Sequence, residues 1–300
     1  MNLHAWEQLL LPLATIGRPL LNLAGPAPLL KRKQVCMFAD AAVFDHPQAY
    51  TRAFGKWYRF LFRQLARRAL LLFTISAFSA GRLAERLDLP IARIPVVPCG
   101  ATHFENIETN ESTGARMSLT DTPFLLVVGS VNPTKNIARL LTAFRVVERP
   151  SVRLVLVGGN NKAVFAEDAD VVEDERIVRT GALADSELKW LYENALAFVF
   201  PSTYEGFGLP PLEAMVCGCA VVASNAASIP EVCGDAALYF DPESEASMTI
   251  AMQAIIDDPV LRDELRQRGK KRASKFTWST AASKILAHLR CSGLIEMVDG

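Results

Sequence analysis

Glu205 and Glu213 stand eight positions apart in the run Pro201-Ser-Thr-Tyr-Glu-Gly-Phe-Gly-Leu-Pro-Pro-Leu-Glu-Ala-Met215. Two glutamates at that spacing alone would read as solvated surface charges. Their surroundings give them a different meaning. The preceding Ala197–Phe200 is short, apolar and aromatic, the pattern of a buried strand. The following residues, Leu212 to Val216, read as a helix, and Pro210 and Pro211 suit its first turn, where an N–H would lack a partner anyway. Gly206 and Gly208 let the main chain approach a ligand closely and take positive φ where needed. Strand, glycine loop and helix N-terminus together form an anion site. Glu213 falls about one turn into the helix, roughly 6 Å along its axis. Its carboxylate accepts two hydrogen bonds and would clamp a vicinal diol such as ribose. Glu205, on the loop, would face the transferred group. The implied ligand is ribose, diphosphate and sugar, laid across the loop in that order.

The elements around this run must place it. From Phe124 onward the pattern alternates: strand Phe124–Gly129, helix 136–148, strand Val152–Val157, a helix at 162–172, strand Ile177–Thr180 and helix 185–195. Strand Ala197–Phe200, helix 210–217, strand Ala220–Ala223, a short helix near Ile229, strand Ala237–Phe240 and helices at 244–257 and 259–275 complete it. Such alternation predicts an α/β fold with a parallel, doubly wound sheet. Ligands of such sheets sit beyond the carboxyl ends of the strands. Ser130, Lys135, Gly158, Gly159, Gly181 and Glu205 all fall there. Before this region, strands are expected at Val35–Phe38, Leu71–Ile75 and Pro95–Val97, with helices at 50–69 and 79–88. The polar stretch 105–121 reads as a linker. The expected division is residues 1–104 as a small α/β domain, 122–275 as a nucleotide-sugar-binding domain, and 276–300 as a helix packing back on the first.

These motifs resemble a retaining glycosyltransferase of family 4, with the two-domain GT-B fold. The likeness rests on Glu205-Gly-Phe-Gly-Leu-Pro-Pro-Leu-Glu213, Gly218-Cys-Ala-Val-Val-Ala-Ser224, Pro230-Glu-Val and Gly234-Asp-Ala-Ala. Val127-Val-Gly-Ser-Val-Asn-Pro-Thr-Lys-Asn136, Ser76-Ala-Phe-Ser and Val96-Val-Pro-Cys-Gly100 extend it upstream. The resemblance implies that Glu213 binds the nucleotide ribose and that Glu205 lies against the donor sugar. It implies that the backbone of Gly206, Phe207, Gly208 and Leu209 contacts sugar and phosphate. Lys135 and its neighbour Asn136 would meet the diphosphate, and the loop from Gly181 to Leu183 the base. Many members carry Arg where Ser130 stands, which would weaken one phosphate contact. Metal-independent transfer from a GDP- or UDP-linked hexose to a saccharide or lipid-linked acceptor, in surface polysaccharide synthesis, is the activity implied, with no cofactor. Lys135 and Glu205 would carry the chemistry. Two departures stand out. The family's opening strand and glycine loop are absent, so the amino-terminal domain reads as shortened. Ala39 occupies the place of the usual His before Asp40, which opens the alternative of a degenerate, non-catalytic nucleotide-sugar binder. Asp40 and His103 are the acceptor-side candidates.

Composition sets the remaining bounds. Half of the 300 residues are hydrophobic, and no apolar run reaches a membrane span. The start lacks a basic region followed by an apolar core, so no signal peptide is expected. Six scattered cysteines suit a reducing, cytoplasmic compartment, and Cys217-Gly-Cys219 lacks a second ligand pair for a metal. The zero net charge hides an asymmetry: residues 1–100 hold 13 Lys+Arg against 5 Asp+Glu, the rest 19 against 27. Arg52, Lys56, Arg59, Arg63 and Arg67 fall on one helical face among Phe54, Trp57 and Phe60. That face is either solvated or a peripheral contact with an anionic membrane at its inner side. No nucleic-acid recognition module accompanies it. A nicotinamide dehydrogenase is excluded because no Gly-x-Gly-x-x-Gly follows any strand.

Overall fold

Residues 3–23, 25, 27–129, 132–158 and 174–295 are described by the computed structural model. The chain divides into two compact units, Met1–Cys99 with Ser279–Gly300, and Gly100–Trp278.

The first unit holds three parallel strands in the order β1 (Leu20–Asn22), β2 (Gln34–Met37) and β3 (Leu71–Phe73), and a bridge between Thr74 and Val96 continues the sheet. Helix Arg52–Arg68 begins at Thr51, whose hydroxyl accepts the Phe54 N–H, and helix Ala77–Leu87 begins at Ser76, which accepts that of Ser79. Both bury one apolar stripe, with Leu61, Leu65 and Leu83 packed beside Phe38 and Leu72. Helix Trp278–Cys291 sets Ala281, Ile285 and Leu289 against Val35, Phe73 and Val97. Sequence patterning assigns nothing before Val35. The structure has helical turns at Leu3–Ala5, Trp6–Leu10 and Leu11–Ala14, and the strand β1. Three residues are too few to show a strand period, and β1 exists through its pairing with β2.

The second unit is built on six parallel strands: β4 (Phe124–Val128), β5 (Arg153–Val157), β6 (Ile177–Gly181), β7 (Ala197–Phe200), β8 (Val221–Ser224) and β9 (Ala237–Phe240). Their order across the sheet is β6-β5-β4-β7-β8-β9. Helices cover both faces, so β7 and β8 are buried throughout, and their sequences are continuous apolar runs rather than alternating ones. Leu125, Val127, Val199 and Val222 meet Phe144 and Met252 in one core. The helix expected at 162–172 lies outside the described residues.

The stretch 105–121, expected to be a linker, is instead packed into this unit. It carries helix Ser112–Arg116, buries Leu119, and sets Gly114 so close to Trp190 that a Cβ there would fall 2.4 Å from the indole. Its polar groups are used locally: Lys189 Nζ donates to the Ile107 carbonyl at 2.7 Å and the Asn110 N–H to that of Ser186 at 3.1 Å. Polar composition therefore marked backbone satisfied against a helix, not a free tether.

At the carboxyl ends of β4 and β5 the chain approaches itself closely. Gly158 has φ of +143°, and a Cβ on it would lie 1.9 Å from the Gly129 carbonyl oxygen. Gly158→Ala is expected to cost about 3 kcal/mol or more, from backbone strain plus overlap. A denaturant midpoint unchanged from wild type would refute that close approach.

Candidate functional site

The strand order reverses between β4 and β7, which makes the crevice beyond their carboxyl ends the topological switch point. The segments leaving these two strands carry the candidate residues. After β4, Asn132 accepts the Thr134 N–H and starts a tight turn, Pro133–Lys135, that ends at Asn136 in the left-handed region with φ of 56°. The Asn136 amide donates to the carbonyls of Pro201 (3.2 Å) and Pro242 (2.8 Å). Thr203 N donates to the Thr134 carbonyl at 2.8 Å. Asn136 thus acts as a clamp between the two segments.

That clamp sets Lys135 against Glu205, with Nζ 2.5 Å from Oε1 and both side chains mostly buried. The ammonium also lies 5.5 Å from the centre of the Phe200 ring. The loop carrying Glu205 is held from below. Ser228 Oγ donates to the carbonyls of Glu205 (2.9 Å) and Phe207 (2.8 Å), and Ser224 Oγ to that of Ser202 (2.5 Å). The Phe207 ring is buried edge-on against Phe276 and anchors the loop. Of the two loop glycines, Gly208 takes positive φ, +107°, directly before helix Leu209–Val216. Gly181 ends β6 with φ of 72°, and the half-buried Leu183 follows it before helix Asp185–Asn194.

Glu213 lies inside helix Leu209–Val216, mostly buried. Tyr192 OH donates towards its Oε2 at 3.4 Å, and His103 Nε2 stands 3.5 Å from its Oε1. Loss of solvation pushes its carboxyl up to about 7, against a Tyr192 hydrogen bond that lowers it and with Asp185 raising it further. The same burial, with Glu213 beside it, holds the fully enclosed Tyr192 phenol well above its usual range.

The other expectations distribute as follows. Ser130 lies outside the described residues, as does Gly159. Asp40 belongs to the first unit, where its carboxylate accepts the Ala42 N–H at 2.8 Å and opens helix Ala42–Asp45. His103, expected on the acceptor side, belongs to the second unit and meets the carboxylate expected at ribose. Sequence pattern singles out neither Tyr192 nor Ser228. Tyr192 and Glu213 are 21 residues apart on different helices, so no local spacing links them. The signal at Ser228 was available: a small hydroxyl just ahead of Ile229-Pro-Glu. Among the described residues no cluster of His, Cys, Asp or Glu could hold a metal ion, and all six cysteines are free thiols.

The family model described as glycosyl transferases group 1 matches residues 111–272. The chain belongs to this family. It is 29% identical over 263 residues to O-antigen chain mannosyltransferase B of Escherichia coli, covering 85% of this chain and 69% of that protein. It is 28% identical over 295 residues to the serotype-specific mannosyltransferase WbdA of Escherichia coli, covering 91% of this chain but 35% of the relative. Among solved structures, sucrose-phosphate synthase from Thermosynechococcus elongatus superposes with a TM-score of 0.73 at 23% identity, over 86% of this chain and 67% of that one. Anabaena Alr3699/HepE, in a complex with UDP and glucose, gives 0.72 at 19% identity over 86% and 71%. These structures share the α/β, GT-B-like fold class of this group 1 glycosyltransferase.

Proposed function

We propose that the chain is a retaining hexosyltransferase that moves a mannose-like or glucose-like residue from a nucleoside diphosphate to a saccharide or lipid-linked acceptor in cytoplasmic synthesis of a surface polysaccharide. The observation that carries this reading is the Lys135–Glu205 pair at the β4/β7 switch point, with the mostly buried carboxylate of Glu213 on the helix that follows. Mannosyltransferase relatives support a mannosyl donor. In this reading the ribose hydroxyls donate to Glu213, and Lys135 turns from Glu205 to the diphosphate. There it stabilises the negative charge that grows as the sugar–phosphate bond breaks. Glu205 then faces the sugar. The acceptor hydroxyl attacks the anomeric carbon on the face from which the phosphate departs, the new C–O bond forming as the sugar–phosphate bond breaks and the hydroxyl proton passing to the leaving phosphate oxygen, so the configuration is kept without a covalent enzyme intermediate. The test is incubation with GDP-mannose or UDP-glucose and lipid-linked acceptors, followed by NMR of the new linkage. An inverted product, or hydrolysis and transfer both absent with every donor, would overturn it. The second outcome would favour a binding protein without turnover, the reading that Ala39 raises.

A peripheral membrane contact belongs to the same proposal. No described helix is long and apolar enough to cross a membrane. On helix Arg52–Arg68, Arg59 turns inward to the Val43 carbonyl (2.9 Å), and Arg63 stacks on Phe44, 5.5 Å from its centre. Arg52, Lys56 and Arg67 stay exposed beside Trp57 and Phe60. At about 1 kcal/mol per cation near an anionic surface, replacing these three by Ala should lower sedimentation with phosphatidylglycerol vesicles roughly a hundredfold or more. Equal sedimentation of the triple variant would remove the contact.

A further inference from the structure

Glu213 is approached by polar side chains from three other elements. Trp278 Nε1–H donates towards His103 Nδ1 at 3.5 Å. That contact leaves the imidazole proton on Nε2, the nitrogen 3.5 Å from Glu213 Oε1. On the far side Tyr192 OH reaches Oε2. Phe104 braces both partners, edge-on to His103 at 4.9 Å and to Tyr192 at 5.7 Å between ring centres. All of these residues lie within the Gly100–Trp278 unit.

A glutamate side chain held at one oxygen still rotates about its last torsion. A second donor on the other oxygen fixes the carboxylate plane. Each carboxylate oxygen accepts about two hydrogen bonds. His103 Nε2 approaches one oxygen at 3.5 Å and Tyr192 OH the other at 3.4 Å, which leaves acceptor capacity on each oxygen for two adjacent hydroxyls. Among the described residues no Lys or Arg forms an ion pair with Glu213. An imidazole N–H and a phenol O–H therefore orient it, without the competition that a Lys or Arg would offer to a ribose hydroxyl.

We propose that His103, held by Trp278, is a positioning residue for the nucleotide ribose, fixing the Glu213 carboxylate in the plane that accepts both hydroxyls. This rests on the reading of Glu213 as the ribose-binding carboxylate. It assigns His103 to the nucleotide end of the site and gives the 102–106 turn a role in sugar-ring selectivity.

Titration calorimetry with UDP and GDP, and with their 2′,3′-dideoxy counterparts, tests it on wild type, His103→Ala, His103→Gln, Trp278→Phe and Glu213→Ala. Loss of the polar contact that orients the carboxylate predicts roughly tenfold weaker binding of the ribonucleotide by His103→Ala, with the dideoxy compound changed less than about twofold. His103→Gln, whose amide N–H reaches the place of Nε2, should restore most of the affinity. Trp278→Phe keeps the aromatic bulk but frees the tautomer, and should show an intermediate loss confined to the ribonucleotide. Unchanged ribonucleotide binding in His103→Ala, or equal losses for both sugar forms, would overturn the proposal provided that Glu213→Ala selectively loses the ribonucleotide. If Glu213→Ala itself fails to discriminate the two forms, the ribose reading of Glu213 falls and this one with it.

Discussion

Lys135→Ala is expected to lower kcat for sugar transfer by roughly 10²- to 10³-fold, the usual cost of removing one group placed where charge develops. The leaving diphosphate would lose the cation that the clamp between Asn136 and the Pro201 and Pro242 carbonyls holds at the switch point. The effect should fall mainly on kcat rather than KM, because the charge on the diphosphate grows in the transition state. Lys135→Arg keeps the charge but brings a planar, bulkier head into a space fitted to an ammonium 5.5 Å from the Phe200 ring, so partial recovery is expected. Steady-state kinetics with a saturating donor make the comparison. A Lys135→Ala variant within threefold of wild type would place the leaving-group contact elsewhere.

Glu213 carries the second large effect, and its sign follows from burial. Its carboxyl sits at about 7 in the folded chain, above its ordinary value of 4.5, chiefly because burial disfavours the charge. The folded state therefore holds a proton that the unfolded state has released between those two pH values. Stability from this group is fully present below 4.5 and is lost as pH rises through about 7. Glu213→Gln cannot lose that proton, so its stability relative to wild type should rise by up to about 3 kcal/mol from pH 4 to pH 8. Nucleotide binding should show the opposite trend. Ribose hydroxyls donate best to the ionised carboxylate, so wild-type affinity should improve about tenfold between pH 6 and pH 8. The groups facing Glu213 are Tyr192, His103, Asp185 and Cys217. The Glu213→Gln variant is the control. In that variant the tenfold change should disappear. A pH slope retained in Glu213→Gln would assign it to another group.

The second unit was legible because most of its strands are apolar runs of four or five residues, and helices such as Ile137–Arg145, Asp185–Asn194 and Leu209–Val216 alternate with them. Ala197–Phe200 is the clearest case, buried at every position on a sheet covered on both faces. The donor-side candidates were legible for a related reason: glycines, prolines and carboxylates cluster within one loop and one helical turn. Less visible was whatever depends on contacts between distant segments. The 105–121 stretch looks like a tether until Gly114 is seen beneath Trp190 and Leu119 in the core. His103 looked like a loop residue near an acceptor, because neither Trp278 nor Glu213 is near it in sequence. The basic face of Arg52–Arg68 was read as one stripe, yet Arg59 is spent on the Val43 carbonyl. Helical spacing fixes which side chains share a face, but not which of them turn inward.

Binding of nucleoside diphosphate sugars by wild type and Glu213→Ala, measured side by side in one calorimetric series of GDP-mannose, UDP-glucose, GDP and UDP, tests the donor site most directly. At least one of these ligands should bind wild type in the micromolar range, at a stoichiometry of one per chain. Loss of a diol clamp made by a buried carboxylate predicts affinity at least roughly a hundredfold weaker in Glu213→Ala. Binding of none of the four to wild type, or equal binding by both proteins, would contradict the site at the β4/β7 switch point.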